Sequence, residues 1–566
     1  MQAFGPCSIA YRLQSEQTER KMHGNTIIFK LDFMSPILVL CVIFAYFGLL
    51  FGVSYVAGRK ADSAGFYTGN RNSHWFVVAM STIGAAMSGV TFVSVPGMVG
   101  TSGWGYMQMV LGFTVGQLIL AYGLVPIYYK YNLTSIYQYL QKRLGMHSYR
   151  TGAWFFFISK MLGASVRLFI VTEVLQLLVF TPLGVPYWAN ALFAVGIAYV
   201  CTFRGGVKSL VWTDMLKTIC MIGSVGLCIW FILRALPEGF VSTLSPSPLP
   251  TGGQEDLMDF STSLPRMFYF DDPKSGNYFW KQFVAGIVLL IGTTGIDQDM
   301  MQRTLSCRNY HDSQKNILLG AGMQVVVIGL FLFLGYLLYA YGDSMEIALP
   351  SNPDDVFPYL ATGSYFPTIV GVLFIIGFIA SAYSSACGAL TALTTSFSVD
   401  IVGDPPLPSL QREGENKLPP STKLLFIRRG RDNVLGRSVI HFCMAAVMAG
   451  CIMVIHLLNN DSVIQTVFLV ASYTYGPLLG MFAFGILTKW QVRDRWIPLI
   501  AIAAPMITYI IDIHSAAWFN GYVFSHERLL LNAALTFAGM MVIRSREQGT
   551  KSPNENKQQQ LLEQRQ

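Results

Sequence analysis

The residues best placed to do chemistry lie inside an apolar run. Residues 377–397, GFIASAYSSACGALTALTTSF, set Ser381, Ser384, Ser385, Gly388, Thr391, Ala392 and Thr395 at steps of three and four. On an α-helix that spacing makes one stripe of hydroxyls and small side chains. In a membrane such polar groups persist where they face a cavity, an ion or another helix. The adjacent hydroxyls of Ser384 and Ser385, with the carbonyl of Ser381 one turn earlier, offer three oxygens to a single point.

A second apolar run is interrupted in the same manner. Residues 73–106, SHWFVVAMSTIGAAMSGVTFVSVPGMVGTSGWGY, carry Ser81, Thr82, Gly84, Ser88, Gly89, Thr91, Ser94, Pro96 and Gly97. Glycine is conformationally permissive and serine competes for backbone hydrogen bonds, so a helix break near residues 84–89 is expected. Carbonyls freed at Gly84 and Met87 would bring the oxygen count to five. A cage of that kind without a carboxylate suits sodium better than calcium, which recruits acidic ligands. The same small residues also suit close helix–helix approach, and this run alone leaves both readings open.

The elements that must position these groups follow from composition. Of 566 residues, 53% are hydrophobic and 12% charged, far below the roughly one-quarter charge of an average soluble domain. Thirteen apolar stretches are long enough to cross a bilayer as helices, at about 34–56, 76–98, 107–129, 150–180, 184–203, 211–235, 279–297, 316–341, 366–401, 437–457, 462–488, 496–514 and 527–543. Stretches of this length exclude an outer-membrane barrel, whose strands are short and alternating. The fold class is therefore an all-α membrane protein with the lipid bilayer as its surroundings.

Basic residues orient it. Arg59, Lys60 and Arg71, then Lys130, Lys142, Arg143 and Arg150, then Arg412, Lys417, Lys423, Arg428, Arg429 and Arg431 mark three loops as cytoplasmic. The loop 236–278 is acidic, and 342–365 has Asp343, Glu346, Asp354 and Asp355 with no Lys or Arg. An N-terminus outside and a C-terminus inside a plasma (inner) membrane result. Residues 1–33 disagree, because Arg12, Arg20, Lys21 and Lys30 resist translocation. Met34 opens the first apolar stretch, so 1–33 reads as a start-site artefact, 34–545 as the transmembrane domain and 546–566 as a polar cytoplasmic tail. The Pro-rich loop 402–436 reads as a flexible connector, and Asn132 of NLTS, on the cytoplasmic side, is discounted as a glycan acceptor.

Several function classes drop out. The net charge of +8 is accounted for by the cytoplasmic loops and needs no nucleic-acid partner. The nine cysteines show no CxxC pair or zinc spacing, and there is no phosphate-cradling loop to use ATP directly. No nucleophile–base cluster supports an enzyme.

The strings STIGAAMSGVTF, VWTDM at 211–215, DMMQR at 299–303 and SAYSSACGALTALTTSFSVDI at 381–401 together resemble the sodium/solute symporter family, which includes sodium–glucose and sodium–sialic acid cotransporters. The resemblance covers roughly residues 34–545. It implies a transporter core of two inverted five-helix repeats, here spans two to six and seven to eleven, and a Na+ site on Gly84, Met87, Ser381, Ser384 and Ser385. Some relatives hold a second sodium with further serines and an aspartate in span six. Asp214 matches that aspartate, but Cys387 and Gly388 stand at the serine positions, so one sodium per cycle is expected. Asp214, Gln302 and Arg303 are then candidates for gating or structure, with a plain helix-start aspartate as the alternative for Asp214.

Sugar carriers have a glutamine where this chain has Thr91, which points away from neutral hexoses. Ser88, Thr91 and Gln108 are candidate pocket groups. Span four adds Lys160 and Arg167, seven apart on one face. A buried intramembrane arginine is costly unless paired, and Arg167 could clamp a substrate carboxylate bidentately. The alternative is an internal pair with Glu173 or Asp297, or a side chain snorkelling to the interface. The expected function is sodium-coupled import of a small organic solute of sialic acid, sugar or carboxylate class by alternating access. Proton-coupled or uncoupled transport, or a sensor on a transporter fold, are the rivals.

Overall fold

The computed structural model describes residues 36–545 apart from 60–62, 132, 204, 237–244, 247–262, 364, 403–419, 459–460, 523 and 525–526. The expectations for the 1–33 and 546–566 tails, for Asn132 and for much of the 236–278 and 402–436 loops lie outside the described residues. Among these residues the protein is helical, apart from one two-residue parallel pairing of Ser245–Pro246 with Ser263–Leu264.

Eight helices are long and apolar enough to cross a membrane: Val39–Gly58, Tyr106–Lys130, Met146–Leu175, Val207–Ala235, Tyr310–Ser344, Thr368–Ile401, Gly436–Leu458 and Asp494–Trp518. Three shorter apolar helices are Tyr187–Thr202, Arg528–Val542 and Tyr473–Leu487, the last being the C-terminal part of helix Asp461–Leu487. Two further apolar spans are broken: Trp75–Ala86 with Gly89–Gly97, bent by 65°, and Phe279–Gly295 with Gln298–Thr304, bent by 73°. Every apolar stretch read from the sequence thus meets a helix or a broken pair. The broken pairs are spans two and seven, the opening members of the two five-span sets expected to repeat.

Two boundaries differ from expectation. Span seven does not end at residue 297 but turns and continues as Gln298–Thr304. The helix of span ten begins at Pro420, inside the expected connector. A proline at the first helical position is a good start, since its missing N–H would have no partner there.

Both breaks are built by local chemistry. At the first, Met87 (φ −88°, ψ 106°) and Ser88 (φ −89°, ψ 166°) leave helical geometry. Ser88 Oγ then caps the second half by accepting from Thr91 N–H at 3.3 Å. At the second, Asp297 plays the same part, its carboxylate accepting from the N–H groups of Asp299 (2.8 Å) and Met300 (3.3 Å). An acidic cap also suits the positive end of the helix dipole. The carbonyls of Gly295 and Ile296 are taken up by the hydroxyls of Tyr128 (2.8 Å) and Tyr137 (3.0 Å), as a non-aqueous surrounding requires.

Candidate functional site: an oxygen cage beside a buried charge network

Glycine brings the first break against span nine. A Cβ on Gly89 would stand 3.0 Å from Ala382 Cβ and 3.3 Å from the Phe378 ring. Ala382 belongs to the turn that carries Ser381, Ser384 and Ser385, so span two opens beside the hydroxyl stripe. Gly84 has no room for a Cβ either, because Thr218 of span six fills the space. The expected backbone break and close helix–helix approach are thus both present at this segment.

Across the break the helix ladder stops. Met87 N–H still reaches the Ile83 carbonyl at 3.1 Å, and Phe92 N–H reaches Ser88 at 3.1 Å. Among the described residues, the carbonyls of Gly84 and Met87 accept no backbone bond across the break. On the facing helix Ser384 is fully buried and its Oγ has no hydrogen-bond partner. Ser385 is 4% exposed, and its Oγ receives only a long 3.4 Å bond from Arg167 Nη1. Ser381 turns its own hydroxyl back to the Phe378 carbonyl at 3.0 Å. Buried polar atoms are normally satisfied, so the Ser384 and Ser385 hydroxyls and the Gly84 and Met87 carbonyls keep acceptor capacity of the kind a hard monovalent cation takes.

Next to the cage, a group of buried charges is closely paired. Lys160 of span four lies 3.1 Å from Asp297 and 2.9 Å from Asp299. Asp299 also pairs with Arg303 on its own helix. Arg303 Nε and Nη2 each reach Asp214 of span six at 3.1 Å. Asp214 is held in addition by Lys217 at 3.1 Å. Lys217 also donates to the Tyr383 carbonyl at 3.3 Å, and Tyr475 of span eleven donates to Asp297 at 2.7 Å. Lys160, Lys217 and Arg303 thus offset Asp214, Asp297 and Asp299 in both number and contact. Gly388 of the stripe leaves space for Arg303 and Asp299, which a Cβ there would strike.

Asp214 is about two turns inside helix Val207–Ala235, fully buried, and is no helix-start aspartate. Gln302 ties the Tyr67 carbonyl to Thr395 Oγ1, both at 2.7 Å. Arg167 is half-buried and pairs with neither anion proposed for it, since Glu173 bonds His456 at 2.9 Å and Asp297 is held by Lys160. Ser88 and Thr91 are half-buried at the break, their hydroxyls 3.1 Å apart. Gln108 departs from the expectation of a free pocket amide. It accepts from Tyr269 N–H at 3.0 Å and donates to the carbonyls of Gly105 and Asn277 at 3.1 and 3.0 Å, fastening the segment before span seven to the start of span three.

The sequence reading passed over Lys217, Asp299 and Tyr475. For Lys217 a signal existed, since a lysine three residues after an aspartate in an apolar helix lies on the same face. Tyr475 had none, because its partner is 178 residues away in the chain.

Fold and site together define a multi-pass helical membrane protein organised around two broken spans. The chain belongs to the sodium:solute symporter family, whose model matches residues 66–407. It is 25% identical over 456 residues to the human sodium/iodide cotransporter, covering 78% of this chain and 63% of that one. It is 25% identical over 440 residues to human sodium-coupled monocarboxylate transporter 2, covering 76% and 64%. With the sodium/sialic acid symporter NanT of Aliivibrio fischeri it shares 26% over 499 residues, covering 85% and 88%. The chain therefore spans just under two thirds of the first two relatives and most of the third. A solved structure of a Na+-coupled sialic acid symporter, substrate-bound and outward-open, superposes with a TM-score of 0.69 over 89% of this chain and 97% of that one, at 16% identity, and shares the fold.

Proposed function

We propose that the protein is a symporter that carries one sodium ion together with a small organic anion, of carboxylate or sialic acid class, into the cell by alternating access. The observation that carries the anion is how the charges where spans four, six and seven meet are shared out. Three cations and three carboxylates there pair with one another, and among the described residues Arg167 is left with a hydroxyl alone. An intramembrane guanidinium in that position calls for an anionic ligand. The relatives named above, for iodide, monocarboxylates and sialic acid, agree with that sign of charge.

In this reading sodium is held by the Gly84 and Met87 carbonyls, Ser381, Ser384 and Ser385. Ser88, Thr91 and Arg167 face the solute, while Gln108 braces the wall behind them. Sodium bound between span two and span nine ties one repeat to the other and favours the outward-open, solute-accepting state. The network of Asp214, Arg303 and Lys160, with Gln302 beside it, closes the opposite, cytoplasmic side. The N-terminus lies outside and the C-terminus inside a plasma (inner) membrane.

The test is uptake into proteoliposomes of labelled sialic acids, monocarboxylates and sugars, with and without an inward sodium gradient. Sodium-driven accumulation of an anion that Ser384→Ala/Ser385→Ala abolishes is the expected result. Equal accumulation without sodium would replace this reading with proton coupling or facilitated diffusion. Charge gives a further check. One sodium with one monoanion moves no net charge, so a potassium–valinomycin potential should leave accumulation unchanged. A neutral solute would gain about tenfold for every ~60 mV, from ~2.3 kcal/mol per charge per 100 mV.

A further inference from the structure

Resting on the sodium site just proposed, we infer that Arg167 keeps that site weak until an anion neutralises it, so that sodium and solute are coupled through a single shared hydroxyl, Ser385. Arg167 Nη1 donates to Ser385 Oγ at 3.4 Å, and Ser385 Oγ is one of the oxygens the cage offers to sodium. A guanidinium has only donors and stays charged at any physiological pH. While it donates to Ser385, one acceptor position of that oxygen is engaged, and a sodium ion entering the cage sits beside a like charge. In a low-dielectric interior that repulsion is far larger than in water.

Among the described residues nothing in the cage offsets it. Its oxygens are carbonyls and hydroxyls, and the nearby carboxylates are committed elsewhere. Asp297 and Asp299 hold Lys160, Asp214 holds Lys217 and Arg303, and Glu173 holds His456. An anion on Arg167 removes the repulsion and draws the guanidinium off Ser385, which frees the hydroxyl for sodium. Because Arg167 is only half-buried while Ser384 and Ser385 are buried, the arginine has the freedom to move and the serines do not. Reciprocity then makes sodium tighten anion binding by the same factor. The arrangement also opposes futile passage of sodium alone, since the cage is poor at holding the ion unless the solute is present.

The experiment is binding of radiolabelled sodium to the purified full-length chain in nanodiscs, in N-methylglucamine–HEPES buffer. Wild type is measured without added anion and with pyruvate, N-acetylneuraminate or iodide as probes. Without anion, Arg167→Gln should bind sodium at least tenfold more tightly than wild type and ignore all three probes. Arg167→Lys, which keeps the charge, should remain weak. Arg167→Met provides a second neutral side chain if the glutamine variant does not fold. Sodium binding by the neutral variants, measured without a probe anion, that is no tighter than wild type overturns the inference while leaving the sodium site intact. Wild type with no saturable sodium binding under any condition, or with binding that Ser384→Ala/Ser385→Ala leaves untouched, overturns the sodium site and the inference with it.

Discussion

Two polar regions lie side by side in this bundle and differ in how completely their groups are paired. Around Asp214, Asp297 and Asp299 every carboxylate meets a lysine or arginine at about hydrogen-bond distance, and Tyr475 and the half-helix cap add further donors. One turn away, among the described residues, Ser384 Oγ has no partner and Ser385 Oγ is reached only by Arg167. Opposite charges in contact in a low-dielectric setting rigidify the bundle, because separating them strands a buried charge, even though Arg303 Nη2 itself lacks a hydrogen-bond partner. Incomplete pairing at the same depth costs stability unless a ligand completes it. The first region thus has the character of a scaffold, and the second keeps the unfilled acceptor capacity that the proposed sodium site needs.

Four substitutions would break or sharpen that contrast, Arg303→Ala with the largest expected effect on stability and Ser384→Ala with the smallest. Arg303→Ala leaves Asp214 and Asp299 short of a partner and should lower stability by about 3–5 kcal/mol, read as a large loss of Tm or of folded protein in detergent. Gly388→Ala drives a methyl into Arg303 and Asp299, for about 1–3 kcal/mol of overpacking, and a partial loss of Tm should be seen. Tyr475→Phe removes one hydrogen bond to Asp297, about 1.5–3 kcal/mol for a bond to a charged group. Ser384→Ala should be within ~1 kcal/mol of wild type, or more stable, because its hydroxyl is already unpaired. The same substitution should remove the rise in Tm that sodium together with a transported anion gives the wild type, a rise expected of any ligand that binds only the folded state. A large Tm loss for Ser384→Ala, or little loss for Arg303→Ala, would dissolve the distinction between the regions.

Local signals made much of this legible. The apolar stretches read at 107–129 and 366–401 became Tyr106–Lys130 and Thr368–Ile401, because length and hydropathy decide membrane spans almost without context. The break at Met87–Ser88 was readable because Gly84, Ser88 and Gly89 act through their own backbone and caps. The break at Ile296–Asp297 carries similar signals in Gly292, Gly295 and a mid-span aspartate, yet Asp297 reads equally well as the end of a span. Its capping role depends on the two N–H groups that follow it, and its retention depends on Lys160, 137 residues earlier. Gln108 illustrates the limit from the other side: its type fits a pocket, and its partners at 105, 269 and 277 place it in a brace.

By itself the sequence determined the solvent, the run of helices, the hydroxyl stripe of span nine and the fragile stretch of span two, because these depend on composition and on neighbours within a turn or two. Only the tertiary structure decided how the buried charges are shared out. Arg167 and Lys160 are alike on paper, two basic residues on one face of one helix. Ion pairing falls off steeply with distance and gains most where water is excluded, so the choice belonged to the packing of spans four, six, seven and nine. That packing gave Lys160 two carboxylates and Arg167 a hydroxyl.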